Sequence, residues 1–339
     1  MKWIIFLFLF NVLFSFGQTG GENTYQFLNL STSARQIALG GEVNTIIGDI
    51  NQPIWNPATI TDDIDGKLAL NYSNYLSDIN IGSLSYAKNI SRRLGMLYGN
   101  ISYLNYGNFI GADEFGNETG SFSANDLALT IGYSYNIPRS DFYIGMNLKF
   151  ISSNIENFNS YGVATDVAVL YRNRDYPFVI TLVARNIGKQ LKSYNGTQET
   201  LPFKVALGGS YKLAHVPLKW YGTIDNLEQW EIAVPNPSEQ TTDLEGNVTE
   251  EDITVFDNIF RRMVIGAELF PDKIINLRAG YNFRRSSELK LQNARSFSGI
   301  SFGFGIRMNK FKFNYAYSNY HAATNTSTFS LEIDLDNRY

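Results

Sequence analysis

The chain has 339 residues, 28 Lys and Arg against 32 Asp and Glu, and a formal net charge of −4. It holds no cysteine, which excludes a disulfide framework, a thiolate metal site, a cysteine nucleophile and a cysteine lipid anchor. With no basic cluster it does not read as a nucleic-acid binder, and 44% hydrophobic content with 24 Phe and 21 Tyr is enough for a large ordered structure.

Residues 1–17, MKWIIFLFLFNVLFSFG, read as a cleaved secretory signal: Lys2, an apolar run from Trp3 to Phe16, and Ser15 with Gly17 before Gln18. The run is shorter than the ~20 residues a spanning helix needs. No later stretch is apolar enough for one, so a membrane span has to be a closed β-barrel.

Residues 18–65 do not read as strands. Ser31 or Ser33 offers an N-cap to a short turn through Ala34, Arg35, Ile37 and Ala38, and Gly40 with Gly41 offers a stop. In Trp55-Asn56-Pro57-Ala58, Asn56 can cap and Pro57 can take the first helical position. The segment fits a plug in the lumen or a loose periplasmic extension; Ile46, Ile47, Ile54 and Trp55 call for burial and favour the plug.

From Gly66 to the end at 339 the chain breaks into segments of period-two alternation, the pattern of transmembrane strands. Strands are expected near 67–76, 80–89, 94–106, 125–136, 141–152, 161–172, 177–187, 201–212, 217–226, 259–270, 274–285, 297–308, 310–320 and 326–335. In the thirteenth, Phe311, Phe313, Tyr315 and Tyr317 alternate with Lys312, Asn314, Ala316 and Ser318. A barrel shows those aromatics to lipid, whereas a soluble sandwich buries them. Connections decide between the two. Those after even strands are short and rich in turn residues, as in 89–93, 137–140 and 271–273. Those after odd strands are mostly longer: 107–124, 153–160, 188–200, 227–258, 286–296 and 321–325. Such sorting, with an even strand count, is that of an outer-membrane barrel. The fold class is all-β: a 14-stranded antiparallel transmembrane β-barrel with a short N-terminal helical plug, both termini periplasmic.

Two long outer loops are candidate partner-binding surfaces. Loop 107–124 carries Asp113, Glu114, Phe115, Asn117 and Glu118. Loop 227–258 carries nine acidic residues and no basic one, among them Glu245, Glu250 and Glu251, together with Trp230. Each also fits a merely solvated loop. The carboxylates of 107–124 lack the spacing of an EF-hand, so no metal is assigned.

FLNLSTSARQIALGG at 27–41, followed by NPAT at 56–59, resembles the start of the PorV/PorQ family, relatives of FadL-type long-chain fatty-acid transporters. YGNFIGADEFGNETGSFSANDLALTIGYS at 106–134 narrows the resemblance to the PorQ branch of the type IX secretion system of Bacteroidetes. The resemblance implies a FadL-like 14-stranded barrel in the attachment complex that holds secreted cargo at the cell surface. PorU-, PorV- and PorZ-like proteins are the partners it implies, beside outer-membrane lipid.

Enzymatic chemistry finds little support, and no cofactor is expected. His215 in a short turn and His321 at the outer end of the thirteenth strand fall at opposite membrane faces and cannot share a site. Ser301 in the G-x-S-x-G match Gly299–Gly303 sits within a strand, without the strand-to-helix turn of a nucleophile elbow. The reading is a non-catalytic anchor. The alternative is a transporter of a hydrophobic molecule such as a fatty acid, with inward Lys149, Lys204, Lys212 and Lys312 meeting a carboxylate. Those lysines equally suit Glu332, Asp334 or Asp49 of the chain itself.

Overall fold

Period-two alternation becomes pairing in a computed structural model that describes residues 23–91, 95–173, 176–235, 241–242, 248–249, 252–289, 298–321 and 324–336. Fourteen antiparallel strands close into one barrel, each beside its neighbour in sequence. They are β1 Lys67–Leu76, β2 Ile79–Ser91, β3 Gly95–Ala112, β4 Glu118–Asn136, β5 Phe142–Ile155, β6 Phe158–Arg172 and β7 Phe178–Lys192. The second half comprises β8 Lys204–Lys212, β9 Leu218–Ile224, β10 Met263–Leu269, β11 Ile275–Asn282, β12 Ile300–Met308, β13 Phe311–His321 and β14 Thr324–Asp334. Closure runs between β1 and β14, with Lys67 opposite Asp334 and Tyr72 opposite Phe329. A closed sheet leaves no edge in lipid, where an unpaired backbone group costs several kcal/mol.

The faces sort as the alternation requires. On β5, Phe142, Ile144, Met146, Leu148 and Phe150 are exposed, while Gly145, Asn147 and Lys149 are buried. On β13, Phe311, Phe313 and Tyr317 face outward and Lys312, Asn314, Ala316 and Ser318 inward. The outward rings touch across strands, Tyr315 and Phe329 at 5.2 Å and Phe304 and Tyr315 at 5.7 Å between centroids. No described helix is long and apolar enough to cross a membrane.

Strand ends depart from expectation in an informative way. Residues 107–124 are not a loop: β3 and β4 run on, pairing Phe109 with Phe122 and Gly111 with Gly120. Likewise β5 and β6 continue to Ile155 and Phe158. Apolar alternation stops once the outward face leaves lipid, but backbone pairing does not stop with it. The reverse happens before β10. Thr254 caps a short helix, α2 (Val255–Phe260), by a reciprocal capping box with Asp257, so the strand begins at Met263 and not at 259. Asn282 caps α3 (Phe283–Glu288) and ends β11 three residues early.

The N-terminal segment enters the lumen at the end where the long connections lie: Thr24 N donates to Thr200 O at 2.9 Å, and Asn23 bridges to Thr200. It leaves at the other end, where Leu335 N donates to Gly66 O at 2.9 Å. The expectation of both termini at the short-turn rim therefore fits the C-terminal end, while the first described residues lie at the long-loop rim. The signal segment 1–17 lies outside the described residues.

Candidate functional site

The lumen is occupied. Residues 24–65 fold within it as one short α-helix, α1 (Ala34–Ala38), and three 3-10 turns, Gln26–Asn29, Pro57–Thr59 and Asp62–Ile64. Gly40 and Gly41 stop α1 at φ of 104° and 97°, with Gly41 N donating to Gln36 O at 2.9 Å. Ser33 stands at the N-cap but makes no side-chain cap bond, and the Ser31 hydroxyl has no partner. The barrel supplies the cap instead: Ala34 N donates to Ser330 Oγ of β14 at 2.8 Å. Asn56 caps as expected, accepting from Ala58 N at 3.0 Å with Pro57 at the first position, and donates to Asn44 O and Thr181 Oγ1. Trp55 is buried with the Arg185 guanidinium 4.1 Å above its ring.

Small inward residues make this packing possible. A Cβ on Gly280 of β11 would lie 2.1 Å from Gly40 N, and one on Gly145 of β5 would lie 2.2 Å from Ala58 N. Ser301, the serine of the G-x-S-x-G match, is buried and donates to Ala38 O at 3.3 Å.

Charged groups tie the plug to the wall. Arg35 pairs with Asp49 at 3.2 Å and with Glu268 of β10 at 2.7 Å. Glu268 also accepts from Arg278 Nε of β11 at 2.8 Å and from the Tyr221 hydroxyl of β9 at 2.9 Å. Lys312 of β13 pairs with Glu332 of β14 at 2.8 Å and reaches Asp49 at 3.8 Å. Three cations, Arg35, Arg278 and Lys312, thus balance three carboxylates, Asp49, Glu268 and Glu332, all largely removed from water. Such a network holds only while complete, because a buried charge without its partner is costly. Elsewhere Lys149 pairs with Asp166 at 2.8 Å, and Lys204 pairs with Glu42 at 3.5 Å and Asp225 at 3.8 Å. Lys212 meets Asp272 at 2.5 Å in an exposed pair at the short-turn rim. The four lysines expected to face inward therefore have carboxylate partners within the chain. Lys219 of β9, opposite Glu268 and on the face of Tyr221, instead rests over the Tyr221 ring at 5.0 Å, without a carboxylate partner among the described residues.

Sequence reasoning missed Glu268, Arg278, Asp166, Glu42 and Asp225. A signal existed for the first two: they are opposite charges on inward positions of adjacent strands, and they are direct cross-strand partners.

On the other side of the lumen the contact is apolar. Tyr25 and Phe27 pack on Ile81, Leu104, Ala128, Ile151, Ala164 and Leu201, with Leu28, Leu30 and Tyr106 around them. The cavity left between Phe27, Leu30, Ile54, Leu104 and Lys149 has about 20 Å³, room for one water.

At the long-loop rim the β3–β4 hairpin ends in a built turn. Asp113 Oδ1 accepts from Phe115 N at 2.9 Å and from Asn117 N at 2.8 Å, and its Oδ2 accepts from Asn117 Nδ2 at 2.9 Å. Those bonds hold the Asp113 carboxyl below its ordinary value, the Asn117 side chain contributing most. Both its oxygens are thus engaged by N–H donors. Glu114 and Glu118 flank the turn, exposed. Loop 227–258 is only partly described, and Glu245, Glu250 and Glu251 lie outside the described residues. Trp230 is exposed with the Arg262 guanidinium 5.4 Å from its ring, and Asn258 Oδ1 accepts from Ile232 N and Ala233 N.

No protein-family model matches the chain, and no curated protein does. Solved structures do. The toluene transporter TbuX of Ralstonia pickettii aligns over 91% of this chain and 99% of its own, with a TM-score of 0.53 and 10% identity. A deltaS2 mutant of the TodX monoaromatic hydrocarbon channel aligns over 90% and 97%, with a TM-score of 0.52 and 14% identity. A deltaS2S3 mutant of the same channel aligns over 88% and 96%, with the same score and identity. The chain has the FadL-like barrel fold of these channels. At that identity the likeness speaks for the fold, and not for what passes or docks.

Proposed function

We propose that the protein is a non-catalytic anchor: a plugged barrel fixed in the outer membrane whose long-loop rim engages surface proteins. The resemblance of 27–41, 56–59 and 106–134 to the PorQ branch points to the attachment complex of type IX secretion, with PorU-, PorV- and PorZ-like partners. The observation that carries the reading is the lock on the lumen, in which Arg35 and Asp49 of the plug join a buried, charge-balanced network with Glu268, Arg278, Lys312 and Glu332. A plug tied in by charge suits an anchor better than a conduit, and Lys149, Lys204 and Lys312 are already paired with carboxylates.

The fold neighbours speak more for a second reading, a channel for a hydrophobic small molecule, since TbuX is a toluene transporter and TodX a monoaromatic hydrocarbon channel. The apolar cluster around Phe27 supports it. Its obstacle is volume at that cluster: an apolar cavity that takes up benzene measures about 150 Å³, against roughly 20 Å³ beside Phe27. The larger spaces, about 380 Å³ beside Asp62 and Arg172 and about 580 Å³ beside Gly188 and Glu199, are open clefts with many polar lining residues. A channel through the Phe27 cluster would have to move the plug.

Mild-detergent purification of the tagged protein from its own outer membrane, with mass spectrometry of proteins and lipids together, separates the two. Surface proteins at near-equal amounts establish the anchor. A lone barrel carrying a defined apolar ligand overturns it in favour of the channel.

A further inference from the structure

The β3–β4 hairpin bears apolar surface that nothing described in the chain covers. Outward residues of these strands are apolar up to Tyr103 and Leu127 and turn polar at Asn105 and Asn125. Beyond that level the hairpin continues for eight residues to Asp113, about 27 Å of extended chain. Phe109 and Phe122 stack on it at 5.2 Å with 21° between their planes. Ile110 is 69% exposed, and Phe115 at the apex is 89% exposed. The apex is not slack: three hydrogen bonds to the Asp113 carboxylate and a Gly116 φ of 81° fix the turn that presents the ring. An aromatic side chain held ready on a rigid turn loses little freedom on binding, which is the character of an interface anchor.

Charge narrows the partner. From Gly95 to Asp126 the chain has no Lys or Arg, while Asp113, Glu114 and Glu118 surround Phe115. Anionic headgroups are repelled by that tip. A second copy of the chain would bring its own acidic tip and an acidic 227–258 loop. We propose that Phe115 is the anchor by which the barrel holds a soluble protein, its ring entering an apolar pocket rimmed by Lys and Arg. The proposal rests on the anchor reading above and assigns that role to one hairpin and one side chain.

The test uses the full chain purified from its own outer membrane in mild detergent. Wild type is compared with Phe115→Ala, Phe115→Trp and the double variant Glu114→Lys/Glu118→Lys. Heat-modifiability on gels controls for the barrel, which none of these solvent-exposed changes should alter. The co-purifying surface protein is expected to fall about thirtyfold with Phe115→Ala, to be retained with Phe115→Trp, and to fall with the charge reversal and with rising salt. A photoreactive phenylalanine analogue at position 115 should form adducts with that same protein, at a peptide bearing Lys or Arg. Recovery unchanged in Phe115→Ala overturns the proposal and leaves the anchor reading standing. Adducts confined to lipopolysaccharide or to a second copy also overturn it. Recovery of no surface protein by the wild type defeats the anchor reading itself, and this proposal with it.

Discussion

The two halves of the barrel hold the same plug by different physics. Strands β2 to β7 run 13 to 19 residues and face the plug with apolar side chains at the long-loop end, around Phe27 and Tyr25. Strands β8 to β12 run only 7 to 9 residues and add charge to an apolar contact: Tyr221 packs on Leu39, Val43 and Ile46, and Glu268 and Arg278 carry the buried ion pairs. Apolar contact is non-directional and tolerates adjustment, whereas a buried ion network fails when one member is lost. The charged half should therefore act as the lock and the apolar half as the seat.

Breaking the lock should have the largest effect. Glu268→Ala leaves Arg35 and Arg278 buried without their shared carboxylate and should cost about 4 kcal/mol, read as a lowered thermal transition and proteolysis of the plug in otherwise intact barrels. Phe27→Ala tests the seat; it should cost about 3 kcal/mol while leaving the plug protected from protease. If both variants release the plug equally, the contrast between halves is wrong. Gly280→Val should cost about 2 kcal/mol, because its side chain enters the space of Gly40 and Leu39 and drives the plug off the charged wall; protease exposure reports it. Ser330→Ala removes the acceptor for Ala34 N and should cost about 1 kcal/mol, visible as a small shift in the same transition.

The smallest effect lies outside the barrel, at the hairpin tip. The Asp113 carboxyl is held below its ordinary value by Asn117 and Phe115 N–H groups. A depressed carboxyl favours the ordered turn above the unperturbed pKa of ~3.9 and loses that contribution as pH falls through the lowered one. The Asn117 amide shift should thus stay constant from pH 7 to pH 5 and move only below the ordinary aspartate value. A midpoint near pH 5 would show that the turn is not built as described.

Much of this was legible in the sequence, and the limits have a physical cause. Outward residues must be apolar at every second position in lipid, so all fourteen strands could be placed, and Asn56-Pro57 announced its turn. The same alternation put Lys312 and Glu332 on inward faces as possible partners, but which lysine meets Glu332 or Asp49 is seen only in the structure. Beyond the lipid that constraint lapses, which hid the extension of β3 and β4 behind Gly107, Gly111 and Gly120. The helix α2 did have a signal, Thr254 three residues before Asp257, but 255–258 read as the end of the acidic loop and 259–260 as the start of a strand. The lock was hidden because Arg35 meets Glu268 across 233 residues of chain, with no local pattern to mark the pair.

The central claim is that the lumen is shut by the plug, and flux through reconstituted protein tests it most directly. Purified full-length protein in liposomes should pass toluene or a short fatty acid no faster than empty liposomes, and the Glu268→Ala variant should pass it measurably faster. Rapid flux through the wild type would contradict the claim and make the barrel a channel.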